Sequence, residues 1–172
     1  STEKNAAAEA LKRLSDDNHL PNLLPLLSGK LSSKDRPLIE DAIIAIMRAD
    51  SNVDHRTAPV IKAYRASKDS DHRRSLLRVL GAVGGDAANS VIVEAFKSSD
   101  KAKKVEAIAA VQASVDRSLI KPIKEIVNTE ADQTVLNALL RAYIQLIALP
   151  SPVLNERGTW RDVIEKARST DK

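Results

Sequence analysis

The feature that most constrains this chain is a self-similarity with a period near 33 residues. Laid over the rest of the chain, the segment LLRVLG at Leu76 to Gly81 matches AIAAVQ from Ala107, LLRAYI from Leu139, AIIAIM from Ala42 and AAEALK from Ala7. Taking Ala7, Ala42, Leu76, Ala107 and Leu139 as equivalent gives steps of 35, 34, 31 and 32 residues. A unit this short cannot bury an apolar face by itself, so neighbouring units must stack and share one core.

Each copy is followed by a second apolar stretch: PNLLPLL from Pro21, PVIKAY from Pro59, SVIVEAF from Ser90, LIKPIKEIV from Leu119 and WRDVIEKA from Trp160. Val105, Ile108, Val111 and Val115 recur at helical spacing, as do Leu119, Ile123 and Ile126. Both stretches are therefore read as amphipathic helices with these residues turned inward. The turns Asp16-Asp17-Asn18, Asp50-Ser51-Asn52, Gly84-Gly85-Asp86 and Ser114-Val115-Asp116 separate the pairs and supply caps for the helices that follow. Pro37 and Pro59 are expected near helix starts, where a missing amide proton costs little. Pro25 and Pro122 fall deeper and should delay or bend their helices.

The expected architecture is all-α, one domain over residues 1–172, with units at 5–28, 35–66, 71–98, 100–128 and 130–168. The last unit departs from the pattern, with a long first helix from about Glu130 to Leu149 and the connector PSPVLNERGT, as a cap or the stub of a longer array. Only Tyr64, Phe96, Tyr143 and Trp160 carry rings, which leaves the core to Ala, Val, Ile and Leu. Such a core suits closely packed helices better than a β-sandwich. The chain begins at Ser1 without a methionine, so it is read as a processed chain or a piece of a longer one.

Paired helices at this period, carried most clearly by DHRRSLLRVLGAVGGDAANSVIVEAF at Asp71 to Phe96 and DKAKKVEAIAAVQASVDRSLIKPIKEIV at Asp100 to Val127, resemble HEAT repeats of the short bacterial kind. Arg74 and Lys104, with Thr134 at the equivalent place, precede the first-helix pattern where that family usually carries a charged residue. The resemblance implies a right-handed α-α superhelix, an armadillo-like α-solenoid of about five two-helix repeats. It further implies a non-catalytic scaffold that binds a protein partner on its concave face, as a module of a larger bacterial protein. Some DNA glycosylases resemble such arrays, so a nucleic-acid-binding protein with a basic concave face is the alternative. Nucleic acid is disfavoured because that role wants aromatic side chains in the cleft, and few are present.

If the second helices line the concave face, as the resemblance suggests, the anchors Leu23, Ile61, Ile92, Ile123 and Ile164 turn inward. Lys62, Arg65, Lys97, Lys121 and Lys124 then face outward as candidate partner-binding residues. The row is open to three readings: an ordinary solvated face, a site for an acidic protein surface, or a track for a phosphate backbone. The acids Glu94, Glu125 and Glu165 share these helices, and a net charge of +4 from 27 basic and 23 acidic residues is modest for a polyanion binder.

Other candidates for chemistry have simpler explanations. GAVGG at Gly81 to Gly85 follows a helix and precedes Asp86, whereas a phosphate loop follows a strand and leads into Lys-Ser or Lys-Thr. Its expected role is a left-handed helix end at Gly84 or Gly85 and close helix packing at Gly81, with Arg73 and Arg74 facing solvent. His19, His55 and His72 belong to three different units and are read as turn residues, not metal ligands. Asp16 and Asp17 sit in a polar turn. Trp160 is expected to pack against Tyr143 as a cap of the core, the alternative being an exposed anchor for a partner. With no cysteine, thiol catalysis and disulfides are excluded. No catalytic, metal or cofactor constellation emerges, and no apolar run approaches the roughly 20 residues of a membrane span. The chain is read as soluble, with cytoplasm and periplasm both open.

Overall fold

The computed structural model of the protein describes residues 20–29, 31–49, 52–150, 161 and 164–168, and among these every regular element is helical. Helix α1 (Leu20–Leu23) runs into a 3₁₀ turn at Leu24–Ser28. It is followed by α2 (Asp35–Ala49), α3 (Val53–Ala66), α4 (Ser70–Val83), α5 (Asp86–Lys97) and α6 (Lys101–Ala113). A 3₁₀ turn at Arg117–Leu119 then leads into α7 (Ile120–Thr129), and α8 spans Gln133–Ile147. The last of these helices is shorter at both ends than its apolar pattern suggested, and its late start follows from the cap at Asp132.

Asx caps set most of these starts. Asn52, Asp69, Asp100 and Asp132 each accept a backbone N–H from the first turn that follows, satisfying donors that a helix leaves unpaired. Asn52 also explains why Pro59 lies well inside α3 instead of near its start: the cap begins the helix seven residues earlier. Pro122 sits in the first turn of α7 behind the 3₁₀ segment, and Pro25 in the 3₁₀ turn after α1, so both of these second helices do begin irregularly.

The helices form two layers. In one, α2, α4, α6 and α8 each pack against the next; in the other, α3 packs on α5 and α5 on α7. Contacts of α3 with α4, α5 with α6 and α7 with α8 join the layers. One continuous core runs from Leu20 to Ile147 and is mainly aliphatic. Each fully buried Leu, Ile or Val contributes about 1.5–3 kcal/mol relative to exposure.

Helix α6 shows where periodicity misleads. Six consecutive residues, Glu106 to Val111, are buried because α4, α5 and α8 surround the helix. Val105 in its second turn and Val115 in the turn that follows it, both expected to face the core, are instead 44% and 53% exposed. Only the small side chains of Ala107, Ala109 and Ala110 allow three neighbours to approach at once.

Gly81 marks the tightest of these approaches. A Cβ placed there would lie 2.1 Å from the Ala110 carbonyl oxygen and 2.8 Å from its carbon. Those are backbone atoms, which cannot swing aside. The expectation that Gly81 permits close packing is met in atomic detail. Gly84 and Gly85 differ from expectation: their φ,ψ of 74°, −167° and 97°, 160° are not left-handed helical. They lie in an extended positive-φ region that essentially only glycine visits.

Gly81→Ala is expected to destabilise the protein by about 3 kcal/mol, because overpacking here must move a helix backbone. Urea unfolding checks this; a change below about 0.5 kcal/mol, the size of an ordinary surface substitution, would mean that α4 and α6 are not in this contact.

Candidate interaction face

The first-helix layer uses several of its charged groups internally. Glu106 of α6, 2% exposed, accepts from Arg73 of α4 through both carboxylate oxygens at 2.8 and 2.6 Å and from the Ser70 hydroxyl at 2.7 Å. Of the two arginines expected in solvent, Arg74 is exposed, whereas Arg73 is drawn inward by this buried acid. Glu40 of α2, also buried, pairs with Arg78 of α4. Lys104 of α6 reaches Glu130 ahead of α8 at 2.8 Å, and Lys101 reaches Asp132 at 2.7 Å. Arginines also close helix ends: Arg48 donates to the Ala82 carbonyl at 2.8 Å, and Arg117 donates to the carbonyls of Ile147 and Leu149. A cation there also complements the helix dipole.

The glycine-rich turn does bind an anion, and the anion belongs to the protein. Gly85 N–H and Asn89 Nδ2 donate to Asp116 Oδ2 at 3.1 and 2.7 Å, while Ser118 N–H donates to Oδ1 at 2.9 Å. Asp116 comes from the turn after α6, one unit along. A side chain at Gly84 would crowd it, with an added Cβ 3.2 Å from the Asp116 Cβ. Burial by itself would raise the Asp116 carboxyl, but the hydrogen bonds from Ser118, Asn89 and Gly85 outweigh it and hold the group below the usual carboxylate range. Glu130 is likewise held low: burial raises it, and hydrogen bonds from Lys104 and the Asp132 backbone outweigh the burial.

The second-helix layer is different. Lys62 and Arg65 on α3, Lys97 on α5 and Lys121 on α7 are exposed, and Lys124 on α7 is partly so. Arg65 faces Glu94 of α5 at 3.9 Å, with their side chains 66% and 74% exposed. Such a pair contributes little in water. Of the inward anchors, Leu23, Ile92 and Ile123 are buried, and Ile61 is partly buried. Ile164 corrects the expectation, being 50% exposed on a short helical stretch.

Grooves follow the seams between successive second helices. One, of about 840 Å³, lies between α1 and α3 and is lined by Pro21, Pro25, Pro59 and Lys62. A second, of about 760 Å³ between α3 and α5, has Ile61 and Val91 in its walls beside Lys62 and Arg65. A third, of about 580 Å³ between α5 and α7, carries Lys97 and Pro122. Lys62, Arg65 and Lys97 therefore rim the grooves, while Lys121 and Lys124 line none of these.

Near the ends of α3 and α5 the structure also gathers Tyr64, Lys68 and Lys103, which the apolar pattern did not single out. A signal for them does exist: the turn pattern Ser-x-Asp recurs at Ser67 to Asp69 and Ser98 to Asp100, 31 residues apart, with basic residues around both copies. Among the described residues no group of His, Asp and Glu is placed to hold a metal ion. His55 is exposed and His72 lines the α1–α3 groove. His19, Asp16, Asp17 and Trp160 lie outside the described residues. Among known families, curated proteins and solved structures, none matches this chain.

Depressed carboxyls at Asp116 and Glu130 contribute stability that is full above the unfolded value of about 4 and is lost as pH falls through the folded value. Asp116→Asn places an amide N–H₂ among donors and should cost about 2 kcal/mol at pH 7. The gap to the parent protein should narrow towards pH 3. Urea midpoints across that range check the sign; a gap that is constant with pH would show that the ionised form is not what the turn binds.

Proposed function

We propose that the protein is a non-catalytic interaction scaffold, a HEAT-like α-solenoid whose second-helix layer binds a protein partner. In this reading the stacking of α2 with α4, α6 and α8, and of α3 with α5 and α7, continues as a superhelix with the second helices on its concave side. One observation carries the functional part. Arg73, Arg78 and Lys104 of the first-helix layer are held by buried acids, whereas Lys62, Arg65 and Lys97 of the second layer are presented to solvent beside successive grooves, and Lys121 is exposed further along the same layer. A surface built this way suits an acidic protein, through steering and register more than through raw affinity.

Nucleic acid fits less well. Glu94 and Glu125 interrupt the positive row, and among the described residues the one ring beside it, Tyr64, is only partly exposed and makes a poor stacking platform for bases. Among the described residues no helix is long and apolar enough to cross a membrane.

Reversing Lys62, Lys121 and Lys124 together to Glu should abolish capture of the partners that the parent protein retains from a cell lysate, with helical content by circular dichroism unchanged. Unaltered capture would remove the second-helix face from consideration. Steeply salt-dependent binding of duplex DNA by the parent protein would favour nucleic acid instead.

A further inference from the structure

We infer that the groove between the C-terminal ends of α3 and α5 is a docking site for an acidic segment of a partner protein, whose carboxylates pair with Lys68, Lys97 and Lys103. This rests on the reading of the second-helix layer as the partner-binding face and names the chemistry of what it takes.

The groove measures about 710 Å³, and its walls include Tyr64, Arg65, Lys68, Glu94, Lys97 and Lys103. That volume lies within the range of built ligand sites and is far larger than an isolated ion needs. Its cations come from separate elements: Arg65 from the last turn of α3, Lys68 from the turn that follows, Lys97 from the end of α5 and Lys103 from the start of α6. Lys68, Lys97 and Lys103 form no ion pair with any described residue, unlike Lys101 and Lys104 beside them. Arg73, in the same wall, is already neutralised by Glu106.

Helix dipoles do not decide the sign here, since α3 and α5 end at the groove while α4 and α6 begin there. Asp69 and Asp100 nearby are engaged as caps of those two helices. Both keep their negative charge, so the field is mixed around the groove, but in its wall the three lysines outnumber the one acid, Glu94. Because Glu94 holds Arg65 at 3.9 Å with both largely in water, an incoming carboxylate can take its place without cost in buried charge. Tyr64 adds a neutral donor: burial, ahead of the Glu106 and Glu94 carboxylates, pushes its phenol above the usual value. A peptide suits this mixture better than a phosphodiester chain, because its amides and carboxylates can use Glu94, Tyr64 and the lysines together.

The test is fluorescence anisotropy with a labelled eight-residue peptide of alternating Glu and Ala, and a Gln version as control, at low salt. The Glu peptide should bind and the Gln peptide should not. Lys68→Glu with Lys97→Glu should weaken binding at least about tenfold, because like charges now face each other. Lys121→Glu with Lys124→Glu, the same change in net charge further along the face, should weaken it by less than about threefold through the general field alone. All four positions are at least partly exposed, and circular dichroism confirms that each variant keeps its helices. Equal losses in the two double variants, no loss from the Lys68 and Lys97 pair, or no binding of the Glu peptide would each overturn the inference. Failure here with partner capture still sensitive to Lys62, Lys121 and Lys124 would leave the broader reading of the face standing.

Discussion

The approach of α4 to α6 at Gly81 and Ala110 is the constraint on which the remainder depends. With no Cβ at Gly81, the helices come close enough for the Arg73 fork to reach Glu106 and for Asp116 to enter the turn at Gly84 and Gly85. A single added methyl group would push the two backbones apart and lengthen these bonds together. The apolar and polar parts of the interface are therefore coupled, and neither would form at the spacing that larger side chains impose.

Polar groups divide between the two layers according to that spacing. Where helices approach closely, an ion pair is dry and fixed, and a lone charge there would cost several kcal/mol, so Glu106 and Glu40 are each matched by an arginine. Where the second helices diverge into grooves, charges stay hydrated and contribute little to folding, as with Arg65 and Glu94. Charges that stability does not require are available for recognition. This is the physical reason for seeking the partner on α3, α5 and α7.

Much of this organisation was legible in the sequence. The repeat of Leu76 and Ala107 placed the first helices, and Asx residues ahead of each apolar run marked several starts. The division of the five cations onto α3, α5 and α7 also followed from the pattern. Periodicity misled at the central helix of the stack, which has neighbours on three sides, so Glu106 is buried although charged, while Val105 beside it falls on the one open side and is exposed although apolar. Arg73 was misplaced for the same reason, since its acid lies 33 residues away and nothing local announces it. The glycines of GAVGG suggested anion binding, but their anion, Asp116, is 31 residues from Gly85 and so invisible to any short motif.

In the proposed reading, the first-helix layer holds the molecule together and the second-helix layer meets the partner. Hydrogen–deuterium exchange of the protein with and without its captured partner tests it most directly. Protection should concentrate in residues 53–66, 86–97 and 120–129, the span of α3, α5 and α7. Protection centred on α2, α4, α6 and α8, with the second helices unchanged, would contradict it.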